Sequence, residues 1–156
     1  MRLTFYGGAQ SVTGANYLLE FGNRKVLIDC GLAQGSHFVE EHNYRPFPYN
    51  PAEINEVLVT HAHIDHTGRL PKLVKDGFKG IVYSTPPTKD FAHLLLLDSE
   101  HILQQEAQRA RHEQLFREDD VIRLMSFWRD VPYHQKISLG PHASAMFYSA
   151  GHILGS

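Results

Sequence analysis

The chain has 156 residues, 42% of them hydrophobic, which suits one globular domain with a sizeable core and excludes a disordered or fibrous chain. Its formal net charge of -2 excludes a strong basic field that would draw in nucleic acid at long range, so such a partner has to be held by local groups. Cys30 is the one cysteine, so no disulfide can form within the chain. With no apolar run of transmembrane length and no signal-like start at Met1 to Gly8, the expectation is a cytoplasmic protein without a membrane partner.

In chain order, Leu3 to Tyr6 predicts a short strand ending at Gly7-Gly8, a tight turn. Asn16 to Phe21 and Lys25 to Cys30 predict a β-hairpin across Gly22-Asn23-Arg24. Gly31 to Pro51 is polar, aromatic and proline-bearing and reads as a long irregular loop. Glu56 to Thr60 predicts a short buried strand, since a mostly apolar run suits a strand covered on both faces. Arg69 to Asp76 predicts a helix closed by Gly77, and Ile81 to Ser84 another strand.

Thr85 then predicts an N-cap, with Pro86 opening a long helix to about His112 whose apolar stripe is Phe91, Leu94, Leu95 and Ile102. Asp119 or Asp120 is expected to cap a second helix, with Val121, Leu124, Met125 and Trp128 forming an amphipathic face. Lys136 to Leu139 and Ala145 to Ser149 predict strands across a Gly140-Pro141 turn. The order defines a mixed α/β (α+β) fold, with no internal repeat and no low-complexity segment.

Eleven histidines invite a search for metal-ligand spacing, and His61-Ala62-His63-Ile64-Asp65-His66 answers it. Hydrolytic zinc sites take His nitrogen and carboxylate oxygen and leave one position open for water. His61 and His63 lie two apart at the end of an apolar strand, so their imidazoles can point to one side and share a metal. Asp65 and His66 follow where the chain turns into a helix, placed to serve a second metal beside the first. The metalloprotease pattern His-Glu-x-x-His is absent.

The run His61-x-His63-x-Asp65-His66 resembles the signature motif of the metallo-β-lactamase superfamily. Val26-Leu27-Ile28-Asp29-Cys30-Gly31 is similar to its upstream aspartate motif, and Ala150-Gly151-His152-Ile153-Leu154-Gly155-Ser156 to its third motif. That third motif, with the Leu32-to-Pro51 loop, resembles the β-CASP branch of RNA-processing nucleases in particular. The opening Ser11-Val12-Thr13-Gly14-Ala15-Asn16-Tyr17-Leu18-Leu19 is like the bacterial members of that branch. The resemblance spans essentially the whole chain. It implies an αββα sandwich, of which residues 1–156 are the amino-terminal portion. It further implies one zinc held by His61, His63 and His152, a second by Asp65 and His66, and Asp29 behind them holding the His motif in place.

A bridging aspartate, a further His and the RNA-clamping β-CASP domain are expected beyond Ser156, so residues 1–156 alone are expected to be inactive. The implied chemistry is hydroxide attack on the phosphodiester of single-stranded RNA, with Asp65 also orienting the hydroxide. Two rivals remain: a hydrolase of thioesters or lactones on the same fold, and a non-catalytic member that binds RNA or a partner subunit. Incomplete sheets would leave exposed edges and favour self-association, so a homo-oligomer is one expectation.

The other singled-out residues read as structural. His93, His101 and His112 are expected on the long helix as surface or packing residues, with RNA contact the sharper alternative for His112 beside Arg109 and Arg111. His37 and His42 are expected to face solvent from the loop, His37 with a minority reading on the substrate path. His134 and His142 flank turns. Cys30 is expected to be buried packing, Trp128 core, and Tyr44, Phe47 and Tyr49 anchors of the long loop, in preference to the lining of a nucleic-acid groove.

Overall fold

A computed structural model describes residues 1–35, 40–111 and 113–156. Six strands form the main sheet in sequence order: β1 (Arg2–Gly7), β2 (Asn16–Phe21), β3 (Arg24–Ile28), β4 (Glu56–Leu58), β5 (Ile81–Ser84) and β6 (Trp128–Asp130). The first three pair antiparallel, β1 to β2 across the segment 8–15 and β2 to β3 across a tight turn at Gly22-Asn23. From β3 onward the pairs are parallel, with crossovers that lay helices on one face. Those helices are α1 (Ile64–Thr67), α2 (Leu70–Lys75), α3 (Pro86–Ala110) and α4 (Glu118–Phe127). A second, two-stranded antiparallel sheet, β7 (Lys136–Ser138) with β8 (Ser144–Met146), covers the other face. The layers are therefore helix, sheet, sheet, a mixed α/β arrangement in keeping with the expected sandwich.

Alternation along the strands feeds two cores. Leu27, Val57 and Val82 face the helices and pack with Leu73, Phe78, Leu96, Phe116 and Leu124, all fully buried. Burying one such side chain contributes roughly 1.5–3 kcal/mol. Val26 points the other way and packs with Val131, Ile137 and Leu139 between the two sheets. No helix among the described residues is long and apolar enough to cross a membrane.

Several expected boundaries shift. The predicted strand over Glu56 to Thr60 ends at Leu58, because the Thr60 amide is taken by the Asp29 carboxylate at 2.8 Å. The second hairpin strand ends at Ile28, since Asp29 leaves extended geometry at φ 59. The strand expected over Ala145 to Ser149 is Ser144–Met146. The cap of α4 is Arg117; Asp120 lies inside the first turn and accepts the Arg117 backbone N–H at 2.9 Å. Trp128 is buried as expected, but it opens β6 rather than closing the helix, and its indole N–H donates to Ser84 Oγ at 2.8 Å.

The largest correction concerns α3. The expected stripe of Phe91, Leu94, Leu95 and Ile102 is exposed, Leu94 at 65%. The buried face is Ala92, Leu96, Glu100 and Ala107, spaced mostly by four, and it includes two small residues that let the helix lie close to its neighbours. His101 stands on the exposed side, as expected of a helix-surface histidine, and bonds to the Leu97 carbonyl. His112 and His37 lie outside the described residues.

The long loop carries 3-10 turns at Glu41–Tyr44 and Pro51–Glu53 and is pinned to the sheet by its aromatics. Phe47 is buried beneath the Arg69 guanidinium, 4.2 Å from its ring centroid. The Tyr49 hydroxyl exchanges hydrogen bonds with the Asn16 amide at 2.9 and 3.1 Å, and Asn43 does the same with the Ala33 backbone at 2.8 Å each way. The loop-anchor reading of Phe47 and Tyr49 is thus borne out. Tyr49→Phe leaves the buried Asn16 amide without its oxygen partner and is expected to cost about 1–3 kcal/mol, read by urea unfolding.

Candidate metal centre

Past β4 the chain makes one more sheet-like bond, Val59 N–H to Tyr83 carbonyl at 2.8 Å, and then turns. Ala62 is fully buried, so its neighbours His61 and His63 swing towards the same rim. His63 sits at the N-cap of α1, and its carbonyl receives the amides of His66 at 2.9 Å and Thr67 at 3.0 Å. The Thr67 hydroxyl adds bonds to the carbonyls of Ala62 and His63. The turn is thereby locked before any metal is considered.

The segment after Asp29 braces the turn from behind. Cys30 and Leu32 donate their amides to the carbonyls of His66 and Ile64, and Ala15 donates to Asp65. Gly31 lies in the middle of this contact. A Cβ there would fall 1.6 Å from the Asp65 carbonyl oxygen, so only glycine lets the two backbones meet. The obstruction is backbone and cannot rotate away. Gly31→Ala is expected to lower stability by about 3 kcal/mol or more, read as a thermal shift of roughly 6–12 °C for a chain of this size. Cys30 is fully buried, and burial pushes its thiol up to about 12, so it is packing, as expected, and no thiolate ligand.

Three imidazoles converge: one nitrogen each from His61, His63 and His152 lies within 4.8 Å of the others. His61 Nε2 is 3.0 Å from His63 Nδ1, and His152 Nε2 is 3.3 Å from the same atom. A tetrahedral ion with bonds of ~2.0–2.1 Å needs ligand atoms about 3.3 Å apart, so this donor set fits a divalent metal. His61 is buried, while His63 and His152 are exposed, which leaves an open side for water or substrate. Burial first, and then the neighbouring imidazoles, lower the His61 pKa to about 4, so its ring stays neutral and keeps a lone pair to offer.

Asp65 and His66 form a separate pair beside the cluster. His66 Nε2 is 3.6 Å from Asp65 Oδ2, while its other nitrogen lies 2.7 Å from Asp29 Oδ2. Burial works to lower the His66 pKa, but the hydrogen bond and charge of Asp29, with Asp65 adding, outweigh it and raise it. Asp29 itself is 1% exposed, and its carboxylate also accepts the Thr60 amide and hydroxyl at 2.8 Å each. All six expected residues are therefore in one neighbourhood: three converging imidazoles, an adjacent carboxylate–imidazole pair, and Asp29 behind them.

The loop that presents His152 has supports that the sequence did not announce. Ser156 Oγ accepts the amides of His152 and Ile153 at 3.0 and 3.1 Å, and its carbonyl accepts the Tyr133 hydroxyl at 2.7 Å. The hydroxyls of Thr85 and Thr88 both reach the Gly155 carbonyl, at 2.5 and 3.0 Å. Thr85 thus holds the helix-cap position without capping; its hydroxyl serves the His152 loop instead. A cleft of about 1310 Å³ opens between the long loop and α3, lined by Tyr44, Ile64, Leu103 and Arg109 among others, and none of the six candidate residues lines it.

These features define a metallo-β-lactamase-type centre, and the chain belongs to that superfamily: residues 18–156 match its family model, described as a metallo-β-lactamase superfamily domain. Members of the superfamily generally bind divalent metal ions. The chain is 40% identical over its whole length to ribonuclease TTHA0252 of Thermus thermophilus, and spans 34% of that protein. It is 35% identical, again over its whole length, to the transcription termination factor FttA of Methanosarcina mazei, and spans 24% of it. Among solved structures, a B3 metallo-β-lactamase with an active-site glutamic acid superposes with a TM-score of 0.55 at 21% identity, covering 92% of this chain and 49% of that one; the likeness is one of fold.

Proposed function

We propose that residues 1–156 are the amino-terminal part of the metallo-β-lactamase domain of a zinc-dependent, cytoplasmic β-CASP-type ribonuclease that hydrolyses phosphodiesters of single-stranded RNA. The observation that carries the reading is the convergence of His61, His63 and His152 beside Asp65–His66. A relative named as a ribonuclease, at 40% identity, directs it to RNA.

In this reading His61, His63 and His152 hold one zinc, and Asp65 and His66 contribute to a second. When bound, the ions supply Lewis acidity and lower the pKa of water enough for attack at neutral pH. The residues of the chain do the rest. Asp65, partly exposed beside the cluster, orients the attacking water through its free carboxylate oxygen. Asp29 keeps the His66 ring turned so that its second nitrogen faces Asp65. The exposed faces of His63 and His152 mark the side from which the RNA backbone enters.

The test uses the full-length polypeptide, zinc-loaded or chelator-stripped, on end-labelled single-stranded RNA and, separately, on a thioester and a lactone. Zinc-dependent shortening of the RNA without thioester or lactone turnover is the expected result. Turnover of the thioester or lactone with intact RNA would replace the reading with a different hydrolase. RNA binding without cleavage by zinc-loaded protein would replace it with a non-catalytic member.

A further inference from the structure

Thr60, the residue before the His motif, sets its hydroxyl between the Asp29 carboxylate and the Nδ1 atoms of His61 and, at 3.4 Å, His66. Its hydroxyl lies 2.8 Å from Asp29 Oδ2 and 3.0 Å from His61 Nδ1, and its amide donates to Asp29 Oδ1 at 2.8 Å. A hydroxyl has one proton to give. An ionised carboxylate has none, so the Thr60 proton must go to Asp29. The Thr60 oxygen is then an acceptor towards His61, and His61 Nδ1 must carry the hydrogen. His61 Nε2, the atom that faces His63, is left as a bare lone pair.

We infer that Thr60 is a positioning residue which, by relaying the negative charge of Asp29 to His61, fixes that histidine as its Nδ1–H tautomer and aims its Nε2 lone pair at the metal. The inference rests on the metal-centre reading above and adds to it a residue that touches neither metal nor substrate. One buried carboxylate then orients two histidines: His66 directly, at 2.7 Å, and His61 through the Thr60 hydroxyl. Both rings turn their Nε2 atoms outward and both are held at Nδ1. His63 differs, since it presents Nδ1 to the cluster. Threonine suits the place because its hydroxyl is short, its χ1 is stiff, and its backbone amide anchors it to the same carboxylate.

The test has two arms on the full-length protein. In the metal-free wild type, nitrogen-resolved NMR of the histidine rings is expected to show His61 protonated at Nδ1; a His61 ring protonated at Nε2 overturns the relay, and no variant is needed to see it. In the second arm, zinc affinity is measured by competition with a chromophoric chelator for wild type, Thr60→Val and Thr60→Ser. Loss of such an outer partner typically weakens metal binding roughly 10–100-fold. That loss is expected for the valine variant, which keeps the shape, with Thr60→Ser restoring affinity to within about threefold of wild type. Equal affinity in wild type and Thr60→Val overturns the inference, as does equal loss in the serine and valine variants. A wild type with the Nδ1–H tautomer that takes up no zinc leaves the relay standing and overturns the metal-centre reading instead.

Discussion

His63→Ala is expected to remove metal binding and hydrolysis while leaving the fold nearly untouched. Its ring is the middle member of the cluster, 3.0 Å from His61 Nε2 and 3.3 Å from His152 Nε2 through one nitrogen. Without it, the two remaining imidazoles lose the ligand that both adjoin. Structural zinc sites are worth about 10–16 kcal/mol with four ligands, so one ligand carries roughly 3 kcal/mol. That is more than a hundredfold in affinity. The side chain is exposed and its neighbours in the turn are held by its backbone carbonyl, which the alanine keeps. The checks are zinc uptake by chelator competition and cleavage of end-labelled RNA, alongside a thermal melt of the metal-free protein. A melt shifted by less than about 2 °C with zinc binding lost is the expected pair. Zinc binding equal to wild type would remove His63 from the ligand set.

How much of this was legible beforehand differs by the kind of evidence each residue leaves. His61, His63, Asp65 and His66 were readable because four ligand-type side chains within six positions, at the end of an apolar strand, have few structural uses. Their shared rim depends on Ala62 being buried, a local fact that the strand pattern foreshadows. Asp29 and His152 were readable only through resemblance to known motifs, because nothing local connects them to the cluster; His152 meets His63 across 89 positions. Thr60, Ser156, Thr85 and Thr88 left no usable signal, since a hydroxyl reveals its role only when its tertiary partner is known. The fold shows the same division. The β2–β3 hairpin followed from its apolar runs and turn. The buried face of α3 did not, because its large apolar residues point outward and Ala92 and Ala107 point in. Strand β6 was hidden because Trp128 continues the helical spacing of Val121 and Leu124, and the chain passes from helix to strand with no glycine or proline between.

Asp29→Ala is expected to damage stability and metal binding together, which separates it from His63→Ala. The carboxylate is 1% exposed and accepts from three donors: the Thr60 amide, the Thr60 hydroxyl and His66 Nδ1–H. A buried donor left unmade costs about 1–3 kcal/mol, so losing the acceptor of all three amounts to roughly 2–6 kcal/mol even if one rotates to a new partner. The backbone adds to this. Asp29 sits at φ 59, where a side chain that bonds locally is tolerated and alanine costs about 1–2 kcal/mol more. Against a total stability of about 5–15 kcal/mol, the variant stands near the edge of unfolding. An asparagine side chain would fill the space and accept the left-handed backbone, so Asp29→Asn isolates the charge. Its amide nitrogen must face at least one of the three donors, the Thr60 amide on the Oδ1 side or the Thr60 hydroxyl and His66 on the Oδ2 side, so it recovers the backbone component and part of the hydrogen bonding. The expected order of urea midpoints is wild type, then Asp29→Asn, then Asp29→Ala. Zinc affinity is expected to follow the same order, because His66, and His61 through Thr60, both take their orientation from this carboxylate. If Asp29→Ala unfolds at the wild-type midpoint, the carboxylate is not what holds the His turn in place.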